Sequence, residues 1–258
     1  MTDIIVVGYP KSGNTWAARL VSELVECPMV GYWGGDWPEV GEEGLDRKSN
    51  YQCFKAHYQC SELPVIGTNS KKIIYVVRDP RDVCLSGSRY YEFHRFPFLP
   101  SIMKRIPKGQ GIYKKIIYPI IATSNYRIKQ MAAAVLYGSQ KVDHWVAVPW
   151  NDHYDAYAKN ECFIVKYEDL LDDPEQECKR IISFLGVERD DRQISEAIEK
   201  QSFKKKKEKF EKMGETYRAN FMKVGKKEQW REGLSKKQQK LFNEVLADDL
   251  CRLDYPLS

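Results

Sequence analysis

Gly8-Tyr9-Pro10-Lys11-Ser12-Gly13-Asn14-Thr15-Trp16 is the stretch whose reading decides the fold. Just before it, Ile4-Ile5-Val6-Val7 is an unbroken apolar run, the pattern of a strand buried on both faces of a parallel sheet. Just after it, residues 17–25 read as a helix. Strand, glycine-bearing loop and helix together make an anion cradle, because loop N–H groups and the helix N-terminus converge on one point. The spacing G-x-x-x-x-G-x-T is met by Gly8, Gly13 and Thr15, but Asn14 stands where a nucleoside-triphosphate loop carries lysine. The loop's cation is Lys11, two residues before Gly13, so it meets a different part of the anion. Taken alone, the stretch is also compatible with an ordinary strand-turn-helix junction.

Further apolar runs predict core strands at residues 51–55, 73–77 and 162–166. The strand at 73–77 ends in Arg78-Asp79-Pro80, where Asp79 suits an N-cap and Pro80 a first helical turn. Arg78 then sits at the carboxyl end of a strand, where open α/β sheets bind ligands, and Ser86 lies two turns into the following helix. A guanidinium there grips phosphate through two hydrogen bonds; an ion pair with Asp79 or Asp82 is the plainer alternative. Lys55 and His57 fall on one side of an extended chain, and His57 is either a general base or a solvated strand-end histidine.

Asp173-Pro174 opens a helix that Gly186 closes, residues 188–201 read as another, residues 126–149 as a third, and Ser235 caps a last amphipathic helix. Residues 27–50, rich in Gly, Trp and acidic side chains, show no period and predict a long loop. That loop either lines an acceptor site or packs its aromatic residues back on the core. Prolines at 97, 100, 107 and 119 break residues 89–125 into an irregular lid carrying basic and apolar residues together. Such a surface also suits a membrane or an acidic partner. His94 lies in this stretch and is a weaker base candidate than His57. The lysines between 204 and 212 form either a solvated face or an attractor for an anionic ligand.

These segments resemble the soluble sulfotransferases that use 3′-phosphoadenosine 5′-phosphosulfate (PAPS). Pro10-Lys11-Ser12-Gly13-Asn14-Thr15-Trp16 is similar to that family's 5′-phosphosulfate loop, with Asn14 in place of its usual Thr. Lys55-Ala56-His57 is similar to its Lys-Thr-His, and the Arg78 to Ser86 spacing to its 3′-phosphate signature. Tyr167-Glu168-Asp169-Leu170 matches a segment whose Tyr contacts the adenine, while Gln201-Ser202-Phe203 resembles Thr-Ser-Phe. Lys223-Val224-Gly225 with Trp230 resembles Arg-Lys-Gly…Trp. The matches fall at 6–16, 53–57, 78–86, 163–170, 201–203 and 221–230.

The resemblance implies one sulfotransferase domain over 1–258, a three-layer α/β/α fold with a central parallel sheet, a P-loop-like donor site and an acceptor lid at 89–125. It implies His57 as base, Lys11 at the bridging oxygen and Lys55 at the transferring group. Ser12, Gly13, Asn14 and Thr15 would hold the 5′-phosphate. Arg78, Ser86, Lys223, Val224 and Gly225 would hold the 3′-phosphate, with Lys226 or Lys227 standing in for the charge lost at Val224. Trp16, Tyr167, Ser202 and Phe203 would meet the adenine. The product is 3′,5′-ADP, and no metal is implied. The rival readings are a P-loop kinase, against which Asn14 speaks, and a non-catalytic binder of nucleotide or sulfated ligands.

Composition agrees with one core-forming domain or a domain with a lid: 258 residues, 43% hydrophobic. The net charge of +5 suits small anions and is weak support for nucleic acid. Seven scattered cysteines without a C-x-x-C pair argue for reduced thiols, and no run approaches the length of a membrane span. The chain shows no leader pattern near Met1, and the expectation is a cytoplasmic enzyme acting on a small-molecule acceptor, with its oligomeric state open.

Overall fold

A computed structural model of the chain describes residues 1–35, 42–63, 71–160, 162–202, 205, 212 and 225–257. Strand β1 (Thr2–Val7) leads through the glycine loop into α1 (Asn14–Val25). Then come β2 (Met29–Tyr32), β3 (Tyr51–Ala56), β4 (Lys71–Val77) and α2 (Pro80–Tyr90). Short helices α3 (Leu99–Lys104), α4 (Gly109–Ile112) and α5 (Tyr118–Ile121), the last two joined by a π-helical turn, precede α6 (Ser124–Tyr137) and α7 (Trp150–Ala158). Strand β5 (Phe163–Lys166) is followed by α8 (Tyr167–Asp172), α9 (Pro174–Leu185) and α10 (Asp191–Lys200). The chain closes with α11 (Trp230–Gly233), α12 (Lys236–Val245) and α13 (Ala247–Arg252).

The sheet runs β2-β3-β1-β4-β5, and all its neighbours are parallel. Ile4, Ile5, Val6 and Val7 are fully buried, as their unbroken apolar run requires. The order places β1 between two later strands, so the chain reverses its direction of travel across the sheet beside the β1 carboxyl end. That is the switch point where open α/β sheets bind ligands. Val6 pairs with Lys55 and Val7 with Ala56, which sets Gly8 level with His57.

Two expectations need correction. Residues 27–50 are not one loop: Met29–Tyr32 forms the edge strand β2, paired to β3 with a register shift between Met29 and Gly31. The helix expected over 126–149 ends at Tyr137, because Gly138 turns to φ 74° and a 3₁₀ turn, His144–Val146, follows. Three of the expected caps are present. Asp173 accepts from the Gln176 N–H at the start of α9, Gly186 ends it in the left-handed region, and Ser235 forms a capping box with Gln238.

The chain divides into two compact units, residues 1–79 with 152–228 and residues 80–151 with 229–258. The first contains the sheet. In the second, α2 packs on α6 and is pinned by two charged side chains. Asp82 accepts from the Trp230 N–H at 2.9 Å, and the buried Arg81 guanidinium lies 3.7 Å over the Trp230 ring. No helix among the described residues is long and apolar enough to cross a membrane. All seven cysteines are free thiols.

Candidate active site

Four parallel strands of the first unit deliver their carboxyl ends to one place: β1 to the glycine loop, β3 to Lys55 and His57, β4 to Arg78 and β5 to Tyr167. The loop is shaped for an anion. Lys11 (φ 74°) and Gly13 (φ 97°) both take left-handed backbone conformations, which turn successive N–H groups toward one side. Trp16 and Ala17 N–H groups both bond the Gly13 carbonyl at 3.0 Å, so α1 begins directly on the loop and its first N–H groups have no intrahelical acceptor. Ser12 is fully buried, and its Oγ has no hydrogen-bond partner among the described residues. A buried hydroxyl at the mouth of an anion cradle fits an oxygen-rich ligand such as a phosphate.

Asn14 does something its position in the motif did not reveal. Its side-chain amide donates to the Gly8 carbonyl at 2.7 Å and reaches the Ala56 carbonyl at 3.4 Å. It therefore ties the glycine loop to the end of β3.

The Gly8 carbonyl also lies 2.9 Å from His57 Nδ1. The Asn14 amide nitrogen lies 2.9 Å from the same Nδ1, so the loop holds the ring with two groups, an acceptor and a donor. Burial, and next the charge of Lys55, hold the His57 pKa well below its usual 6.5, which keeps the ring neutral at physiological pH. Lys55 is itself buried, with its ammonium 5.7 Å from the centre of the Tyr32 ring. Tyr32, on the strand the sequence did not disclose, sits 6.0 Å from the His57 ring.

Arg78 is buried and donates to the carbonyls of Lys11 at 3.2 Å and Lys226 at 3.3 Å, with its guanidinium 4.3 Å over the Tyr167 ring. Tyr167 also meets Trp16 edge to face at 5.7 Å, and Trp16 Nε1 donates to the Gln201 carbonyl at 3.0 Å. Loop, Arg78, Tyr167 and Trp16 thus form one assembly. Ser202 follows Gln201 and is half-buried, and Gly225 precedes the carbonyl that Arg78 holds. Lys227 is bound to Asp172, which argues against it as the replacement for the missing charge at Val224. Ser86 lies half-buried on α2, in the second unit. Phe203, Lys223, Val224 and the lysines at 204, 206, 207 and 209 lie outside the described residues. His94 is engaged by Tyr113 and Glu92, which makes it the poorer base candidate.

Sequence reading missed His153. The ring is buried on α7, 2.9 Å from the Tyr75 hydroxyl through Nδ1 and 3.1 Å from the Tyr58 carbonyl through Nε2. Tyr157 donates to the same carbonyl at 2.8 Å. The peptide between Tyr58 and Gln59, one residue past His57, is therefore held by two side chains. Burial drives the His153 pKa down to about 4. The second overlooked group is Glu168, which accepts from the Asp79 N–H at 3.1 Å and whose carboxyl burial pushes up to about 7.

These two groups act oppositely on stability. His153 withholds a proton that the unfolded chain binds below about 6.5, so it favours folding increasingly as pH rises from about 4 to 6.5. Glu168 keeps a proton that the unfolded chain releases above about 4.5, so its contribution falls as pH rises from there to about 7. Glu168→Gln keeps the acceptor for Asp79 and removes the titration. In urea denaturation its stability relative to wild type should be greater at pH 7 than at pH 4.5, by about 1–3 kcal/mol.

The sulfotransferase domain family model matches residues 1–253. The chain belongs to the sulfotransferase family. Its relatives include bovine sulfotransferase 1A1, 25% identical over an alignment of 223 positions that covers 80% of this chain and 66% of that protein. Human sulfotransferase 2A1 is 24% identical over an alignment of 272 positions, gaps included, that covers 95% of this chain and 85% of that protein. The chain spans about two thirds of the length of the bovine relative. Among solved structures, mouse sulfotransferase SULT7A1 complexed with PAP superposes with a TM-score of 0.67 at 22% identity, covering 99% of this chain and 89% of that one. Retinol dehydratase in complex with androsterone and inactive cofactor PAP gives 0.64 at 18% identity, covering 96% and 80%. The parallel sheet and glycine loop of this sulfotransferase domain are thus the fold of its family.

Proposed function

We propose that this sulfotransferase domain moves a sulfuryl group from PAPS to the hydroxyl of a small-molecule acceptor, releasing 3′,5′-ADP. The observation that carries the reading is the shared carbonyl of Gly8. The same loop that shapes the anion cradle also holds the His57 ring, so donor site and base are built as one piece.

PAPS supplies the activated sulfuryl group. The N–H groups of Gly13, Asn14 and Thr15, with the Ser12 hydroxyl, hold its 5′-phosphate. Arg78 serves the 3′-phosphate, and Trp16 and Tyr167 form the platform for the base. His57 Nε2 takes the acceptor's proton as the hydroxyl attacks. Lys11 stabilises charge on the bridging oxygen, and Lys55 stabilises the group in transit. Positive charge that a divalent ion contributes in kinases comes here from these lysines and the loop dipoles. Seven free thiols suit a reducing, cytoplasmic compartment.

Calorimetric titration with 3′,5′-ADP, 5′-ADP and ATP–Mg²⁺ tests the reading. Strong preference for 3′,5′-ADP without metal is expected. A preference for ATP–Mg²⁺ would overturn it in favour of a kinase, and binding of neither would leave a cradle without a donor.

A further inference from the structure

The charge of this chain is unevenly distributed. Residues 93–142 contain no Asp or Glu, yet carry Arg95, Lys104, Arg105, Lys108, Lys114, Lys115, Arg127, Lys129 and Lys141. Taking those nine from the total of 41 Lys and Arg leaves 32, against all 36 Asp and Glu, in the rest of the chain. Residues 93–142 are thus strongly basic, as residues 204–227, with ten Lys and Arg against three Glu, also are.

The same stretch exposes apolar side chains in two helically spaced sets. Phe98, Ile102 and Ile106 are 62%, 48% and 46% exposed, and Ile112, Ile116 and Ile120 are 44%, 58% and 70% exposed. Spacing of four residues on the helical run Gly109–Ile121 aligns the second set roughly on one side. These are not core residues that have come loose, because the stretch buries a different set. Met103, Tyr113 and Ala122 face inward, Tyr113 Oη lies 2.9 Å from His94 Nδ1, and the Phe93 N–H donates to Tyr118 Oη at 2.9 Å. Lys104, Arg105, Lys108, Lys114 and Lys115 stand among the exposed isoleucines, all exposed themselves. Lys114 has Glu92 at 3.4 Å.

We infer that the outer face of residues 95–121 docks on an anionic lipid surface, with the isoleucines entering the headgroup boundary and the cations meeting lipid phosphates and carboxylates. Apolar side chains rimmed by Lys and Arg are what interfacial anchoring requires. The composition favours lipid over an acidic protein. Protein interfaces concentrate aromatic residues, Met and Arg and are depleted in Lys, whereas the exposed apolar and basic side chains of residues 98–120 are five Ile to one Phe and four Lys to one Arg. Pro97, Pro100 and Pro107 keep residues 95–108 in short pieces, and the run Gly109–Ile121 passes through a π-helical turn, so neither offers a regular α-helical stripe to a protein groove, and a fluid bilayer needs no such regularity. The inference is independent of the donor chemistry.

Vesicle sedimentation of the full chain tests it without donor or acceptor. Vesicles of phosphatidylcholine with about 30% phosphatidylserine should bind the protein roughly tenfold better than phosphatidylcholine alone, and about 0.5 M salt should release it. Ile116→Asp/Ile120→Asp should lower binding roughly tenfold, with 3′,5′-ADP affinity and near-ultraviolet dichroism unchanged. Lys104→Glu/Lys108→Glu should remove the preference for phosphatidylserine. Absence of binding to either vesicle, equal binding to both, or binding indifferent to Ile116 and Ile120 would overturn the inference. Retention on immobilised polyglutamate without vesicle binding would reassign the face to an acidic protein.

Discussion

His57→Ala should lower turnover with PAPS and acceptor by on the order of 10²–10⁴ while leaving 3′,5′-ADP affinity near that of wild type. The separation follows from geometry. The ring meets the donor loop through the Gly8 carbonyl and the Asn14 amide, which keep their bond to each other when the imidazole is gone. Single-turnover kinetics beside calorimetry reads both quantities. Near-normal turnover would remove His57 from the chemistry, and a joint loss of turnover and nucleotide affinity would make it a structural residue of the loop.

The pH profile gives an independent check. Only the neutral ring accepts a proton, and burial with Lys55 holds the His57 pKa well below 6.5. Wild-type activity should therefore stay level as pH falls through 6.5 and decline only at lower pH. Lys55→Met removes a charge that depresses this pKa, so it should shift the decline upward in pH as well as slow the reaction.

Local signals made the donor half of this site legible. Four consecutive apolar residues can only be a buried strand or a buried helix, and the glycine loop directly after them decides for the strand. Arg78 and Tyr167 were found for the same reason: each directly follows a strand whose apolar run marks it. Strand β2 was hidden because Met29–Tyr32 has only four residues, one a glycine, and owes its existence to pairing with β3 more than twenty positions later. His153 was hidden because nothing around it on α7 speaks of function. Its meaning comes from Tyr75 and Tyr58, brought to it by the sheet. Asn14 was read through its place in the motif, yet its side chain serves two carbonyls, one of them on another strand.

Gly13→Ala should be the most damaging single-methyl change in the donor loop, because two separate costs meet there. Gly13 has φ 97°, where an L-residue loses about 1–2 kcal/mol to contact between its Cβ and the backbone. A Cβ built there also lies 2.5 Å from Cδ2 and 2.8 Å from Cε2 of Tyr167. That ring cannot easily withdraw, since Arg78 covers one face at 4.3 Å and Trp16 meets it at 5.7 Å. Overpacking against a fixed neighbour costs about 1–3 kcal/mol more. Relief requires the loop to move, and Gly13 carries the carbonyl on which the Trp16 and Ala17 N–H groups close the first turn of α1. Displacing it turns the Asn14 and Thr15 N–H groups away from the anion, so 3′,5′-ADP affinity should fall by roughly 30-fold or more alongside the loss of melting temperature. A double-mutant cycle separates the two costs. In a Tyr167→Ala background the clash is gone and the strain remains, so Gly13→Ala should then cost only about 1–2 kcal/mol of stability. Full additivity of the two changes would mean that Tyr167 does not confine the loop, and unchanged nucleotide binding in Gly13→Ala would mean that the left-handed turn does not form the cradle.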